Sequence, residues 1–457
     1  MDLISKNIFS LQNERFGRLT VVPRIFMSEE LAEPLTLEYN LNPDDSTLTQ
    51  LASICFLPGI IDVVGLPDLH RGYGFPIGSV AAFDPFDPCS VVCPLGVGYD
   101  INCGVRGMVL DISKDKLIPI LDDLLDDLSN IENTTLKLRD LNGLLDGGLQ
   151  FLIDLGFIKE NLDSVESRGF IPGNSRLVSQ KAKGRGLNQL ETLGKGNHFL
   201  EIQFVDKIYD KEKANVMGIQ KEGQLVVMIH TGSRALGHIV CGEYLEKAGE
   251  TVPLNSVLGQ EYMFAMGSAA NFAFGNRALI AEKVKQIFGK YFKGVQCQLI
   301  YDASHNIAKK EIHRIDGVEK ELLVHRKGAA RSFGPGQGEL RGSYGVIGQP
   351  VMVGGSMGTS SYILCGTNKA MELSLGSTCH GAGRIYSRNE ARIQFTHSEV
   401  AGDLLSQGIK FRCGSESGLV EEAPGAYKNI ESVIDVSVGC GITERICRVK
   451  PIAVIKE

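Results

Sequence analysis

Six side chains of this chain are of types that do chemistry together: Asp100, Cys103, His198, His230, His305 and His380. Asp100 and Cys103 stand three positions apart in GVGYDINCGVR (Gly96–Arg106), among Gly96, Gly98 and Gly104. Glycines let a backbone turn tightly and let other groups come close. A carboxylate and a thiolate presented this way form half of a metal site. A buried free cysteine beside a turn aspartate is the alternative from these residues alone. The four histidines weigh against it. They occur in GKGNHFLEIQ, HTGSRALGH, DASHNIAKKE and GSTCHGAGRIYSR, each after a glycine-rich turn or at the end of a strand-like run. One thiolate can bridge two cations, with an acid and one imidazole for the first and two imidazoles for the second. Ligand type alone favours zinc.

The remaining polar inventory suits phosphate. GGSMGTSS (Gly354–Ser361) offers backbone N–H groups and hydroxyls between two strands, as a nest for phosphate oxygens, and HGAG (His380–Gly383) offers the same. GGSMGTSS lacks the lysine and following helix of a Walker loop, and glycine hairpins explain it equally well. Arg185, Arg234, Arg384 and Arg388 lie beside the candidate ligands, and guanidinium binds phosphate bidentately. Asp68 and His70, read alone, are turn chemistry.

Strand-like and helical runs must position these groups. Strands are predicted at Arg18–Val22, Ile25–Met27, Ser79–Phe83, Val105–Leu110, Phe199–Val205, Leu225–His230, Gln298–Tyr301, Pro350–Val353, Tyr362–Cys365 and Ile452–Ile455. Pro67, Pro76 and the glycines of Gly65–Asp84 predict a loop feeding the Ser79 strand. Leu117, Leu121, Leu124 and Leu128 predict one helix over Lys114–Asn130 with a solvated acidic face. QKAKGRGL (Gln180–Leu187) reads as a solvated basic helix end. Residues 240–293 read as helical, 327–347 as a long Gly/Arg loop, and Glu399–Gln407 as a helix. One more helix is expected within 131–175.

Composition bounds the possibilities. The chain has 457 residues, 43% hydrophobic and 22% charged, as a globular protein has. No apolar run approaches the roughly 18 residues of a membrane span, and the N-terminal stretch lacks a signal-peptide core. Eleven cysteines without framework spacing read as reduced thiols of a cytoplasmic or nuclear protein. A net charge of −7 argues against a whole-surface nucleic-acid binder but leaves room for a local basic groove. With no internal repeat and no compositional break, one compact catalytic unit is expected.

Taken jointly, PDLHRGYGFPIG, GVGYDINCGVR, GKGNHFLEIQ, HTGSRALGH, ASHNIAK, GGSMGTSSY and TCHGAGRIYSR stand in the order and context of the RtcB-type RNA-splicing ligases. The resemblance runs from about residue 60 to the C-terminal IAVIKE and is closer to the eukaryotic tRNA-splicing form than to bacterial relatives. It implies an α+β fold in one RtcB-type domain over 1–457, residues 1–60 being its less defined part. That domain would carry mixed and antiparallel sheets, surrounding helices and a dinuclear metal site in a central cleft. It also implies a GTP- and manganese-dependent ligase, which displaces the zinc expectation. Such an enzyme joins RNA ending in a 2′,3′-cyclic phosphate or 3′-phosphate to 5′-hydroxyl RNA, with tRNA exon halves as substrates.

Carried onto this chain, the resemblance gives one Mn²⁺ to Asp100, Cys103 and His198 and a second to Cys103, His230 and His305. His380 becomes the nucleophile that carries GMP, and Asp68 the acid that orients it. Glu201 would select guanine, with Phe199 or Tyr427 flanking the base. Asn197, His198, Leu200, His305, Asn306, Gly354, Gly355, Ser356, Met357, Ser361, Gly381, Ala382, Gly383 and Lys456 match further nucleotide contacts. Arg185, Arg234, Arg384 and Arg388 would grip RNA phosphates. An archease-like activator and other subunits of a tRNA ligase complex are the protein partners the resemblance admits, with no membrane. Leu95, Ala265 and Ala270 stand where the family has glycines, and the 240–295 stretch is shorter than in eukaryotic relatives. A catalytically quiet RNA-binding subunit is the competing expectation. A metal-dependent phosphoesterase is a third, and it leaves His380 and Glu201 without a role.

Overall fold

The computed structural model describes residues 1–11, 16–130 and 136–457. Two large sheets dominate an α+β arrangement. The eight-stranded one runs Cys297–Ser304, Gly104–Ser113, Gln224–Thr231, Phe199–Ile208, Thr443–Lys456, Ser361–Gly366 and Pro350–Val353 in antiparallel order. Its last member, Lys410–Cys413, lies parallel to the Ala453–Lys456 end. The seven-stranded sheet runs Asp2–Ser5, Ile8–Ser10, Arg24–Phe26, Ile60–His70, Ile77–Phe83, Val318–Lys327 and Asn306–Ile315.

Gln224–Thr231, QLVVMIHT, is buried throughout its length. Leu225, Val227 and Ile229 face one core, with Ile280, Val284 and Phe288 of the long helix Val257–Tyr291 and with Leu121, Leu124 and Leu128. Val226 and Met228 face the other, with Val109, Ile300 and Ile363. Alternation thus supplies apolar side chains to both faces of a central strand. Each such side chain contributes roughly 1.5–3 kcal/mol on burial, which fixes the strand end that carries His230. The helix is capped by Ser256, whose hydroxyl accepts the Gly259 N–H at 3.0 Å. Ala265 and Ala270 are fully buried within it, so they serve as small packing residues there. Among the described residues no helix is long and apolar enough to cross a membrane.

Several local expectations are corrected. Arg18–Val22 is not a strand, whereas the strand expected at Ile25–Met27 is present as Arg24–Phe26, and residues 29–41 form a helix. Gly65–His70 belongs to a strand despite Pro67, because pairing with Ile77–Phe83 lapses between Gly65 and His70, where a proline costs no ladder bond. Pro119 breaks the expected helix over Lys114–Asn130 into Lys114–Leu117, a 3₁₀ turn and Leu121–Ser129. The expected loop 327–347 contains the strand Ala329–Arg331 and the helix Gly342–Ile347. The helix within 131–175 is Leu138–Asp154; residues 131–135 lie outside the described residues.

Candidate metal centre and nucleotide cavity

Antiparallel register gathers the candidate ligands at one edge of the eight-stranded sheet. Gly104 pairs with Thr231 on one side and Ser304 on the other, and Phe199 pairs with His230. Successive antiparallel strands alternately begin and end at such an edge. Cys103 and His198 therefore precede their strands, while His230 and His305 close theirs. A Cβ on Gly104 would strike the Ala303 carbonyl oxygen, and one on Gly232 would strike the Asp100 carboxylate. Only glycine permits either approach. His380 directly follows the short strand Ser377–Cys379, which pairs with Ala329–Arg331.

Donor atoms converge there. His198 Nε2 lies 2.8 Å from Asp100 Oδ2 and 3.3 Å from Cys103 Sγ. His230 Nε2 lies 3.2 Å from the same sulfur and 3.3 Å from His305 Nε2. The other ring nitrogens are fixed by carbonyls: His198 Nδ1 donates to Leu193 O at 2.9 Å and His230 Nδ1 to Asn197 O at 3.0 Å. A carbonyl only accepts, so each of these rings in its neutral form turns an Nε2 lone pair inward, whereas a proton on His198 Nε2 makes that atom a donor to Asp100. Burial, then the neighbouring imidazoles, pushes His230 and His305 well below the usual histidine range. Burial raises the Cys103 thiol, and the Asp100 charge adds to it. Burial opposes ionisation of Asp100 too, but the His198 charge and hydrogen bond win and hold it at about 2. Lone pairs of this kind facing one another repel until a cation lies between them, so the Cys103–His198–His230 cluster fits a metal. Sγ touches imidazoles on both sides, which suits a shared thiolate.

Asp68 holds the fourth histidine. Its Oδ2 accepts from His380 Nδ1 at 2.7 Å and from the His380 backbone N–H at 3.0 Å. Burial alone would raise this carboxyl, but the His380 hydrogen bond and charge outweigh it and keep it below the usual carboxylate range. Lys428 donates to the Leu69 and Pro67 carbonyls on either side of Asp68, at 2.6 and 3.4 Å, and so pins the strand that carries it. The His380 ring lies 4.7 Å, centroid to centroid, from His305. A carboxylate-held histidine and a candidate metal donor set thus face one cavity, about 250 Å³, whose wall also holds Glu201, Tyr427 and Lys456.

Most expected nucleotide contacts line that cavity: Asn197, His198, Phe199, Glu201, His305, Asn306, Gly354–Met357, His380–Gly383, Tyr427 and Lys456. Two do not. Leu200 points into the hydrophobic core with Ile202 and Ile229. Ser361 supports the loop, its hydroxyl accepting from Gly355 N at 3.1 Å. The phosphate nests are also narrower than expected. The Ser356 N–H is taken by Thr359 Oγ1, and the His380 and Gly381 N–H groups point at Asp68. Lys456 is buried rather than solvated and donates to the His198 carbonyl at 3.1 Å. Burial lifts the Glu201 carboxyl to about 8, against Gln203 and Lys456.

The arginines separate. Arg384 and Arg388 reach the cavity wall and meet Glu422 at 3.1 and 3.3 Å. Arg234 packs beneath the 192–194 turn, donating to Thr192 Oγ1 at 3.1 Å, and Arg185 stands exposed at its helix end. Leu95 sits in the helical turn Pro94–Val97 against Gly74, and Gly98 at φ +95° ends that turn; Asp100 reaches His198 all the same. The structure adds wall residues the sequence did not single out, Tyr99, Lys327 and Glu422 among them. Lys327 opens the Gly/Arg stretch and Glu422 precedes Tyr427 by five, but neither spacing marks a site.

A family model described as tRNA-splicing ligase RtcB matches residues 50–457. A protein of Nanoarchaeum equitans named tRNA-splicing ligase RtcB is 43% identical over 99% of this chain and 98% of its own length. Its namesake in Thermococcus kodakarensis is 42% identical over 96% and 95%. RNA-splicing ligase RtcB homolog 2 of Entamoeba dispar is 43% identical over 94% and 88%. A match of that extent, on a chain whose cavity joins a Cys/His metal cluster to a carboxylate-held histidine, places this protein in the RtcB family of RNA ligases.

Proposed function

We propose that this protein seals RNA ends in tRNA splicing, joining a 3′-phosphate, or a 2′,3′-cyclic phosphate once water has opened it, to a 5′-hydroxyl with GTP. RNA repair and other cytoplasmic splicing are further uses of the same chemistry. The Asp68–His380 pair carries the reading. With Nδ1 donating to a carboxylate, Nε2 keeps its lone pair and is the ring nitrogen left to attack. Nε2 forms a bond to the GTP α-phosphorus as the bond to pyrophosphate breaks. An oxygen of the RNA 3′-phosphate then takes the GMP from Nε2. The 5′-hydroxyl oxygen attacks the RNA phosphorus, its proton leaves to solvent, and GMP departs.

Asp100, Cys103 and His198 would hold one Mn²⁺, and Cys103, His230 and His305 the other. Such cations supply charge neutralisation beside a triphosphate. Glu201, as a carboxylate, accepts from guanine N1–H and N2–H, a pair adenine does not offer. Arg384 and Arg388 contact RNA phosphates. The test is incubation with α-labelled GTP and Mn²⁺. A protein-bound GMP that is acid-labile, base-stable and absent in His380→Ala is expected. Wild type that forms no adduct, even with an archease-like activator, would refute the ligation chemistry and leave a quiet RNA-binding subunit.

A further inference from the structure

A second cavity, about 790 Å³, opens beside the first and shares part of its wall, including Tyr99, Lys327 and Arg384. It falls within the roughly 300–1,000 Å³ span of ligand sites, and the guanylyl transfer itself makes no use of it. Its acids are occupied locally. Glu38 accepts the Thr47 N–H, Asp45 pairs with Arg71, and Glu390 accepts the Ser387 N–H as part of a helix cap. Its lysines are differently placed. Among the described residues, Lys327 meets only the Tyr73 carbonyl, and Lys428 only those of Leu69 and Pro67, with no carboxylate in ion-pair range. At the mouth, Tyr73 is 78% exposed. Cations lining a groove beside an open aromatic face are the combination that single-stranded RNA uses for its backbone and bases.

The shared wall also decides which strand. Lys327 is followed by Gly328, where a Cβ would lie 3.1 Å from His380 Cε1. Lys327 lines both cavities, so the wall they share carries an amine beside His380. Of the two RNA ends, only the 3′ end carries a phosphate that must meet the guanylylated histidine; the 5′ end is a neutral hydroxyl. We infer that the second cavity seats the terminal nucleotides of the 3′-phosphate strand, its phosphate at the Lys327–Arg384 junction and a base against Tyr73. This rests on the ligase reading, and the 5′-hydroxyl strand then enters from another side.

Two 4-thiouridine RNAs test it on the full chain with Mn²⁺, one carrying the label on the last base of the 3′-phosphate strand and one on the first base of the 5′-hydroxyl strand. The 3′ probe is expected to crosslink within residues 70–77 or 385–388, and Tyr73→Ala to cut that crosslink at least fivefold. In ligation, Tyr73→Ala is expected to raise KM for the 3′-phosphate strand about tenfold, as loss of a stacking face does, and KM for the other strand less than twofold. Tyr73→Phe retains both properties. The strand assignment is overturned if the 5′ probe labels this cavity, if the 3′ probe labels only other surfaces, or if both KM values move together. Absence of a protein–GMP adduct in wild type instead overturns the ligase reading and this inference with it, so the two failures are distinguishable.

Discussion

Asp68 Oδ2 accepts two hydrogen bonds from one residue, from His380 Nδ1 at 2.7 Å and from its backbone N–H at 3.0 Å. The carboxylate thereby fixes both the tautomer and the orientation of the imidazole. Asp68→Asn preserves the shape but removes the charge and offers an amide that donates as well as accepts. Formation of the GMP adduct is expected to slow by roughly 100- to 10,000-fold, the range over which positioned acid–base groups act. Single-turnover incorporation of label at saturating GTP measures it. A loss under threefold would mean that Asp68 only packs the ring.

Cys103 Sγ lies 3.3 Å from His198 Nε2 and 3.2 Å from His230 Nε2, and these imidazoles belong to different proposed metals. Cys103→Ala is therefore expected to lower bound Mn²⁺ at both positions. Metal analysis of the purified variant against wild type reads the stoichiometry. Loss of a single equivalent rules out the shared thiolate.

Arg277 lies deep beneath this centre. Its Nε donates to Asp302 Oδ1 at 2.8 Å, and one terminal nitrogen donates to Asn102 O at 2.7 Å and Thr231 O at 3.0 Å. Those carbonyls adjoin Cys103 and His230, and Asp302 is also held by Arg106 at 2.8 Å. Arg277→Met leaves Asp302 short of a partner in a fully buried site. It is expected to cost about 3–5 kcal/mol in urea unfolding. Arg277→Lys keeps the charge but loses the planar fork, so metal affinity is expected to fall by roughly 10- to 100-fold with a smaller loss of stability. Equal metal affinity in Arg277→Lys and wild type would separate the arginine from the ligands.

Asp100, Cys103 and the four histidines were legible in the sequence because each stands at a glycine turn or strand end, where local pattern and chemistry coincide. The strand Asn306–Ile315 was not. Its buried face carries Lys309, Glu311 and His313, while Ile312 is 56% exposed, so its polarity pattern is inverted. Glu166, Arg326 and Arg331 complete that face through buried ion pairs, and partners from distant segments leave no local signature. The Leu200 side chain lies away from the cavity for a related reason. Adjacent residues of a strand face opposite sides, so Glu201 reaches the cavity and Leu200 the core.

Those ion pairs make stability depend on acid. Burial opposes ionisation of Glu166, but Lys309 and Arg331 prevail and hold it at about 2. A carboxyl whose folded pKa is depressed contributes stability above its unfolded value, near 4.3, and loses it as pH falls toward 2. Thermal melts of wild type are expected to drop steeply across that window, and those of Glu166→Gln to begin lower and fall less. Parallel curves would show that other carboxylates govern the acid limb.

Glu201 titrates with the opposite sign. Burial raises its carboxyl to about 8, with Gln203 and Lys456 opposing, so at neutral pH the empty cavity holds it mainly protonated. A protonated carboxyl donates where guanine N1–H and N2–H also donate, whereas the carboxylate accepts both. GTP binding then releases a proton, and by linkage affinity weakens by up to about tenfold per unit as pH falls below about 8. Affinity is expected to level off above that value. Glu201→Gln has no proton to release, so its affinity for GTP is expected to be weaker at pH 8 and flat with pH. Calorimetric titration of GTP into His380→Ala, which prevents turnover, measures affinity across pH 6–9, and repetition in two buffers of different ionisation enthalpy counts the proton. A wild-type profile as flat as that of Glu201→Gln would take the guanine contact away from Glu201.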